Sequence, residues 1–465
     1  MNTVLEIIIA IWGVISALYA FRGIYSAIGL VTTRRFSKTD KRYRYAVLVA
    51  ARNEEKVIGK LLESIRLQDY PRELVDIFVV ADNCDDNTAS VARAHGAVCY
   101  ERQDTERRTK GFALQFLVER IRRDFGLERY DGYFLFDADN LLKKDYISRM
   151  NEAFAAGEKI VTSYRNTKNF NDNWIAASYG IHWLRTVRTE HRARSVLRLA
   201  TRVQGTGLLF ASEVIRDGWN YTSLTEDRAF CADAVAKGYR ISYNNAAEFY
   251  DEQPTDLKIA MRQRIRWAKG HLQALTETGG KLLSHIFYTG GVANRQSSDA
   301  SVLRRIGNNL RLRFMSFDML TVVFPKAFAG MIYRWLCFFL RAGLICTTGA
   351  VFGLEIAPKL VRVIFEVFDI PAAPESTAGA VGLLLICTLG AVASAWLSGM
   401  VTAAYVFVAE RRRIRGVSWY KKQWFCLTFP LFDMMGKIAT CIALFKKVEW
   451  KPIPHDVAVG IEQMK

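Results

Sequence analysis

Between Glu375 and Glu410 the chain runs 34 residues without a charge, "STAGAVGLLLICTLGAVASAWLSGMVTAAYVFVA". About 20 apolar residues suffice to cross a bilayer as a helix, so this run predicts a membrane span. The basic stretch "ERRRIR" follows it, and positive charge collects on the cytoplasmic side. A second apolar run, Val4 to Thr33, is followed by Arg34, Arg35, Lys38, Lys41 and Arg42. That order places the N-terminus outside and the next segment in the cytoplasm. It argues against a cleaved signal peptide, whose basic flank comes first. A third run, about Ala329 to Gly353, is interrupted by Arg334 and Arg341. We expect it to span, because it carries the chain outward for the next span to return. Trp424 to Phe445 has lysines at both ends and Pro430, Asp433 and Lys437 within. That pattern suits a helix lying on the cytoplasmic interface, or a re-entrant one, and favours the interface over a further span.

The expected organisation is a span with its basic flank (1–43), a cytoplasmic domain (44–285) and amphipathic interface helices (286–328). Membrane helices (329–410) and an interface helix with a C-terminal tail (411–465) complete it. The protein is thus expected to be an integral, multi-pass protein of the plasma membrane. The net charge of +18 sits largely beside the apolar runs. It points to anionic lipid or a phosphate-bearing ligand, and no motif for nucleic acid is present. The eight cysteines include no C-x-x-C pair, which predicts buried free thiols.

Within 44–285 the strand "YAVLVA" ends in a polar turn and is followed by apolar residues at helical spacing. "VDIFVVADNCDDNT" repeats the plan, and "YFLFDADN" ends a third strand in acids. Strands alternating with helices predict an α/β domain with a parallel or mixed, Rossmann-like sheet whose faces are both covered. Ligands of such sheets bind at the carboxyl ends of the strands, where all three polar turns fall. Asp137 and Asp139 flank Ala138 at such an end, and strand alternation would point both to one side. A hard divalent cation with bound phosphate relieves the repulsion of two such carboxylates. In "TED", Thr225 would cap a helix whose first turn holds Glu226 and Asp227. Gln263 and Arg266, three apart, share a helical face.

The ordered set "ARNEE", "ADNCDDNT", "KGFAL", "DADN", "TED" and "QRIRW" resembles the family 2 glycosyltransferases, which have the GT-A fold. It is most similar to the membrane-embedded processive members that make cellulose, chitin, hyaluronan and poly-N-acetylglucosamine. The resemblance implies that Ala50, Arg52 and Glu54 line the nucleotide pocket and that Asp82 faces the uracil. It implies that Lys110 approaches the diphosphate or donor sugar. Asp137 and Asp139 would hold donor and Mg2+ or Mn2+, with Asp139 the direct ligand. The turn carrying Gly205, Thr206 and Gly207 would face the acceptor, with Glu226 beside it. Asp227 would take the proton of the attacking hydroxyl. Gln263 and Arg266 would meet the leaving diphosphate, and Trp267 would give the acceptor sugar a flat face. By position alone, Trp450 and His455 would return to cover the donor.

The function expected on this resemblance is processive, inverting synthesis of a β-glucan, cellulose-like or mixed-linkage, from UDP-glucose. A poly-N-acetylglucosamine, chitin-like or hyaluronan-like polymer is the alternative, as is single transfer to a lipid carrier. Expected partners are the UDP-sugar, the growing polysaccharide and membrane lipid, with room for an accessory protein or a second copy.

Overall fold

A computed structural model describes residues 2–290, 292, 301–348 and 377–464. Glu375 and the end of the Ala329–Gly353 run lie outside the described residues. The chain divides into two compact units, Met1–Arg22 with Pro325–Cys441, and Gly23–Phe324 with Ile442–Lys465.

The first unit is helical: α1 (Asn2–Leu18), α12 (Lys326–Thr348), α13 (Thr377–Ala409) and most of α14 (Trp419–Phe445). Trp12 of α1 stacks on Tyr333 of α12 with ring centroids 4.9 Å apart. Gly330 makes room for that ring, since a Cβ there would lie 2.8 Å from it. Three segments among the described residues are long and apolar enough to cross a membrane: Thr3–Val31, Val381–Ala409 and Trp419–Phe445. The third is one continuous helix through Pro430, so the segment placed on the interface from its charges also has the dimensions of a span. α12, expected to span, is not among these three by itself and counts only together with the preceding helix, as one bent segment; the end of the expected run lies outside the described residues.

The second unit holds the mixed α/β domain. Its helices are α2 (Arg22–Val31), α3 (Ile58–Arg66), α4 (Thr88–Ala94), α5 (Lys110–Phe125) and α6 (Tyr146–Ala155). There follow α7 (Trp174–Thr186), a π-helical turn, α8 (Arg192–Val196), α9 (Glu226–Ala236), α10 (Leu257–Phe287) and α11 (Val302–Val323). The strands are β1 (Tyr45–Ala51), β2 (Val75–Asp82), β3 (Val98–Arg102), β4 (Gly132–Asp137) and β5 (Leu141–Leu142). β6 (Ile160–Thr167), β7 (Leu208–Ala211) and β8 (Ile241–Asp251) complete the sheet, in the order β3-β2-β1-β4-β7-β6-β8-β5.

β3, β2, β1 and β4 are mutually parallel, β7 runs antiparallel between β4 and β6, and β6 pairs parallel with β8. β1 is fully flanked and reads as an unbroken apolar run, as a strand covered on both faces must. α3 buries Ile58, Leu61, Leu62 and Ile65, an i, i+3, i+4, i+7 stripe, against that sheet. Register matters more for function. Ala50 pairs with Val80 and with Asp137, so β1, β2 and β4 end at one level and deliver their polar turns to one edge.

Near the basic flank, Arg194 of α8 forks onto Asp318 of α11 at 2.8 and 2.9 Å, and Tyr25 of α2 donates to the same carboxylate at 2.9 Å. The buried triad joins α2, α8 and α11. Among the described residues seven cysteines are free, but only Cys231, Cys337 and Cys387 are buried as expected; Cys84, Cys99, Cys426 and Cys441 are half-buried.

Candidate active site

Asp82, at the end of β2, is 4 % exposed and held by two guanidiniums. Arg52 donates to its carbonyl at 2.9 Å and to its carboxylate, and Arg102 of β3 donates to the other carboxylate oxygen. Charge-assisted bonds of this kind fix a carboxylate's orientation. Glu54 lies beside this pair, and burial lifts its carboxyl to about 7 despite the hydrogen bond from His455.

Lys110, at the start of α5, stands at the centre. Its ammonium pairs with the Asp137 carboxylate, donates to the Gly205 carbonyl at 2.8 Å and lies 3.6 Å from Glu226. Burial would push that amine down, but Asp137 and Glu226 outweigh it and raise it. One side chain therefore joins the D-A-D, Q-G-T-G and T-E-D segments. The Asp137 N–H donates to Thr206 Oγ1 at 2.9 Å, which pins the Gly205–Gly207 turn to the end of β4. Gly205 and Gly207 hold φ of +81° and +65°, where glycine pays no steric penalty. A Cβ on Gly207 would also come within 2.1 Å of the Phe249 ring.

Glu226 is buried, and burial raises its carboxyl even with Lys110 opposing. Asp227 is half-buried; one oxygen accepts the Arg228 N–H at 2.9 Å, and the other lies 4.0 Å from where a Cβ of Gly205 would stand. Thr225 departs from expectation. It occupies the N-cap position, but its hydroxyl makes no cap bond and is buried without a hydrogen-bond partner. The cause is α10: a Cβ on Gly270 would sit 2.3 Å from Thr225 Oγ1, so the side chain is packed against that helix.

Asp139 also departs from the expected geometry. β4 ends at Asp137, so Asp139 lies in the following turn and strand alternation does not orient it. It is 4 % exposed and accepts the Glu252 N–H at 2.7 Å and the Asn140 amide at 3.2 Å. Burial would raise its carboxyl, but His455, Lys168, the Glu252 N–H and Arg165 together hold it below the usual range. Among the described residues no three His, Cys, Asp or Glu side chains form a metal shell. Two carboxylates with oxygens of a bound diphosphate are nevertheless a donor set suited to magnesium or manganese. Asp137 and Asp139 would hold such a cation.

On α10, Arg266 donates to the Leu224 carbonyl at 3.3 Å, beside the T-E-D segment. Burial lowers its guanidinium, while Glu226, Asp227 and Asp137 act the other way. Trp267 packs edge-on against Tyr179 and Trp183, with centroids 5.8 and 5.6 Å away. Gln263 Oε1 is buried without a hydrogen-bond partner among the described residues, and no contact ties it to the acids.

The tail returns to Arg52 and Glu54. Trp450 lies under the Arg52 guanidinium at 4.4 Å, and His455 Nδ1 is 2.8 Å from Glu54. The Asp456 and Val457 N–H groups both donate to Glu252 at 3.0 Å, and Lys56 pairs with Asp456 at 2.6 Å. Burial would depress the His455 imidazole, but Asp139 and Glu54 raise it to about 10, so it is a cation at neutral pH.

Sequence reasoning missed Arg102, Arg165, Lys168, Asp251, Glu252 and Gln253. The acid pair Asp251–Glu252 ends β8 much as Asp137 ends β4, and that parallel was available in the sequence.

Residues 42–270 match the family described as glycosyltransferase like family 2. A probable glycosyltransferase of Bacillus subtilis, YdaM, is 24% identical over 252 residues, 49% of this chain and 55% of that protein. Poly-beta-1,6-N-acetyl-D-glucosamine synthase of Staphylococcus aureus is 25% identical over 235 residues, 49% of this chain and 54% of that protein. The chain thus spans about half the length of the curated relatives it matches. Among solved structures, a mannosyltransferase of Pyrobaculum calidifontis in complex with GDP-Man and Mn2+ aligns at a TM-score of 0.46 and 16% identity. That alignment covers 84% of this chain and 99% of the other. Residues 42–270 of this chain are a glycosyltransferase family 2 domain.

Proposed function

We propose that the protein transfers hexosyl residues, with inversion, from a UDP-sugar to the hydroxyl of a growing β-linked polysaccharide at the plasma membrane. The observation that carries this reading is the position of Lys110. It holds the donor-side Asp137, the acceptor-side Gly205 carbonyl and the T-E-D helix at one point.

In this reading Arg52, Glu54 and Asp82 border the nucleotide. Asp137 and Asp139 would hold a divalent cation with the diphosphate, which would supply charge neutralisation at the phosphate oxygens. Asp227 accepts the proton of the acceptor hydroxyl as it attacks the anomeric carbon. Lys110 and Arg266 supply positive charge where the diphosphate departs. Trp267 supports the acceptor sugar, an apolar contact that lets a chain slide between additions.

UDP-glucose was the donor expected from the motifs. The name of the Staphylococcus aureus relative favours UDP-N-acetylglucosamine instead, already the alternative. The deciding experiment offers each UDP-sugar to purified protein with magnesium or manganese. UDP release and product length are measured, and the product is digested with linkage-specific hydrolases. Polymer from UDP-N-acetylglucosamine is expected. A single-sugar lipid would overturn processivity, and no UDP release from any donor would overturn the reading.

A further inference from the structure

Arg165 sits in β6, two residues beyond an irregularity in the β6–β8 pairing at Ser163/Tyr164, and is 8 % exposed. Every edge of its guanidinium is used. Nε and Nη2 donate to one Asp251 oxygen, Nε at 2.8 Å. Nη1 donates to the Gln204 carbonyl at 2.9 Å. The flat face lies 4.0 Å from the centroid of Trp183.

Those contacts lead to three parts of the site. Gln204 opens the turn that carries Gly205 and Thr206. Trp183 packs on Trp267, the proposed support of the acceptor sugar. Asp251 belongs to a three-residue segment whose next N–H, that of Glu252, holds Asp139 at 2.7 Å. The third residue, Gln253, closes the circuit. Its amide donates to Asp251 at 2.6 Å, and its carbonyl accepts from the Trp183 indole at 3.3 Å.

A buried ion pair contributes little net stability against an apolar pair of the same volume, so its retention asks for another reason. Lysine would carry the same charge but neither forks nor stacks. We infer that Arg165 is a positioning residue that fixes the acceptor turn and the Trp183–Trp267 floor against the Asp139 end of the donor pocket. Binding of nucleotide and cation is thereby felt at the acceptor side. The inference rests on the proposed transfer for its meaning, but its central test needs only nucleotide binding.

That test is amide hydrogen exchange on the full chain, with and without UDP and Mn2+. The wild type should gain protection over residues 179–186 and 204–207 when UDP and Mn2+ bind. Arg165→Ala and Arg165→Lys should bind UDP within about threefold of wild type yet lose that added protection. Trp183→Phe, which keeps the ring packing but removes the bond to Gln253, should retain part of it and guards against misfolding of the Arg165 variants. In the activity arm, the ratio of donor hydrolysis to sugar transfer should rise at least about tenfold in both Arg165 variants. Unchanged protection in the variants, none in the wild type, or restoration by lysine would each overturn the inference. Collapse of UDP binding would also overturn it, placing Arg165 in the nucleotide site. A wild type that releases no UDP from any donor would overturn the proposed function, while the exchange result would still decide the role of Arg165.

Discussion

Lys110 Nζ stands 3.6 Å from a carboxylate oxygen of Glu226, while the adjacent Asp227 turns an oxygen toward the Gly205 turn. Two neighbouring acids at one helix start therefore face different surroundings. Glu226 is buried against a cation, and Asp227 borders the space where an acceptor would lie. Asp227→Asn is expected to lower transfer about 10²- to 10⁴-fold and to leave UDP affinity nearly unchanged by calorimetry. Glu226→Gln should instead weaken donor binding, because Lys110 loses a partner and shifts toward Asp137. Near-normal turnover in Asp227→Asn would refute its assignment as the base.

Asp137 and Asp139 differ in how they are held, and the difference predicts their contributions to metal binding. Asp139 is fixed by the Glu252 N–H, whereas Asp137 shares its charge with Lys110. Excess chelator should abolish UDP release, and magnesium or manganese should restore it. Asp139→Asn should weaken Mn2+ binding in the presence of UDP by about tenfold or more, and Asp137→Asn by less. Full activity in chelator would remove the cation from the mechanism.

The tail meets the end of β1 through Trp450 on Arg52 and His455 on Glu54. If it covers the donor, His455→Ala and Trp450→Ala should speed release of a fluorescent UDP analogue about five- to tenfold in stopped flow. Hydrolysis of UDP-sugar by water should rise in parallel. Release at the wild-type rate in both variants would limit these residues to a structural role.

Glu158 offers a test of stability against pH. It is 2 % exposed and accepts from Arg34 at 2.6 Å, from Arg240 at 2.6 and 3.1 Å, and from Ser242. Burial would raise its carboxyl, but Arg240, Ser242 and Arg34 outweigh it and depress it. A depressed carboxyl contributes stability that is complete above its unfolded pKa. That contribution is lost as pH falls through the folded one. Glu158→Gln should cost about 3 kcal/mol at pH 7, and the gap from wild type should begin to narrow below about pH 4.5 and close only below the depressed folded pKa. A gap that persists in acid would trace the loss to packing.

What the sequence disclosed followed local pattern. β1, β2 and β4 were legible because covered parallel strands are unbroken apolar runs, and the polar residues at their ends mark the ligand edge. Lys110, Asp227 and Arg266 could be singled out because their motifs are contiguous, and the structure brings Lys110 and Arg266 to the T-E-D segment. Thr225 misled, since whether a hydroxyl caps its helix or packs on another is decided by Gly270, 45 positions away. Asp139 misled because the strand stops two residues earlier than alternation assumed. Arg165 was invisible for a different reason. Its partners, Gln204 and Asp251, lie 39 and 86 residues away, and no local spacing connects them.

Glu54 and His455 are separated by 401 residues in the chain. At about 5–20 residues per second, roughly 20 to 80 seconds of synthesis pass between the two. The α/β domain has its full sequence long before then. A nascent molecule would on this schedule present the sheet edge with Glu54 still hydrated, and acquire its His455 neighbour only as a late step of biogenesis.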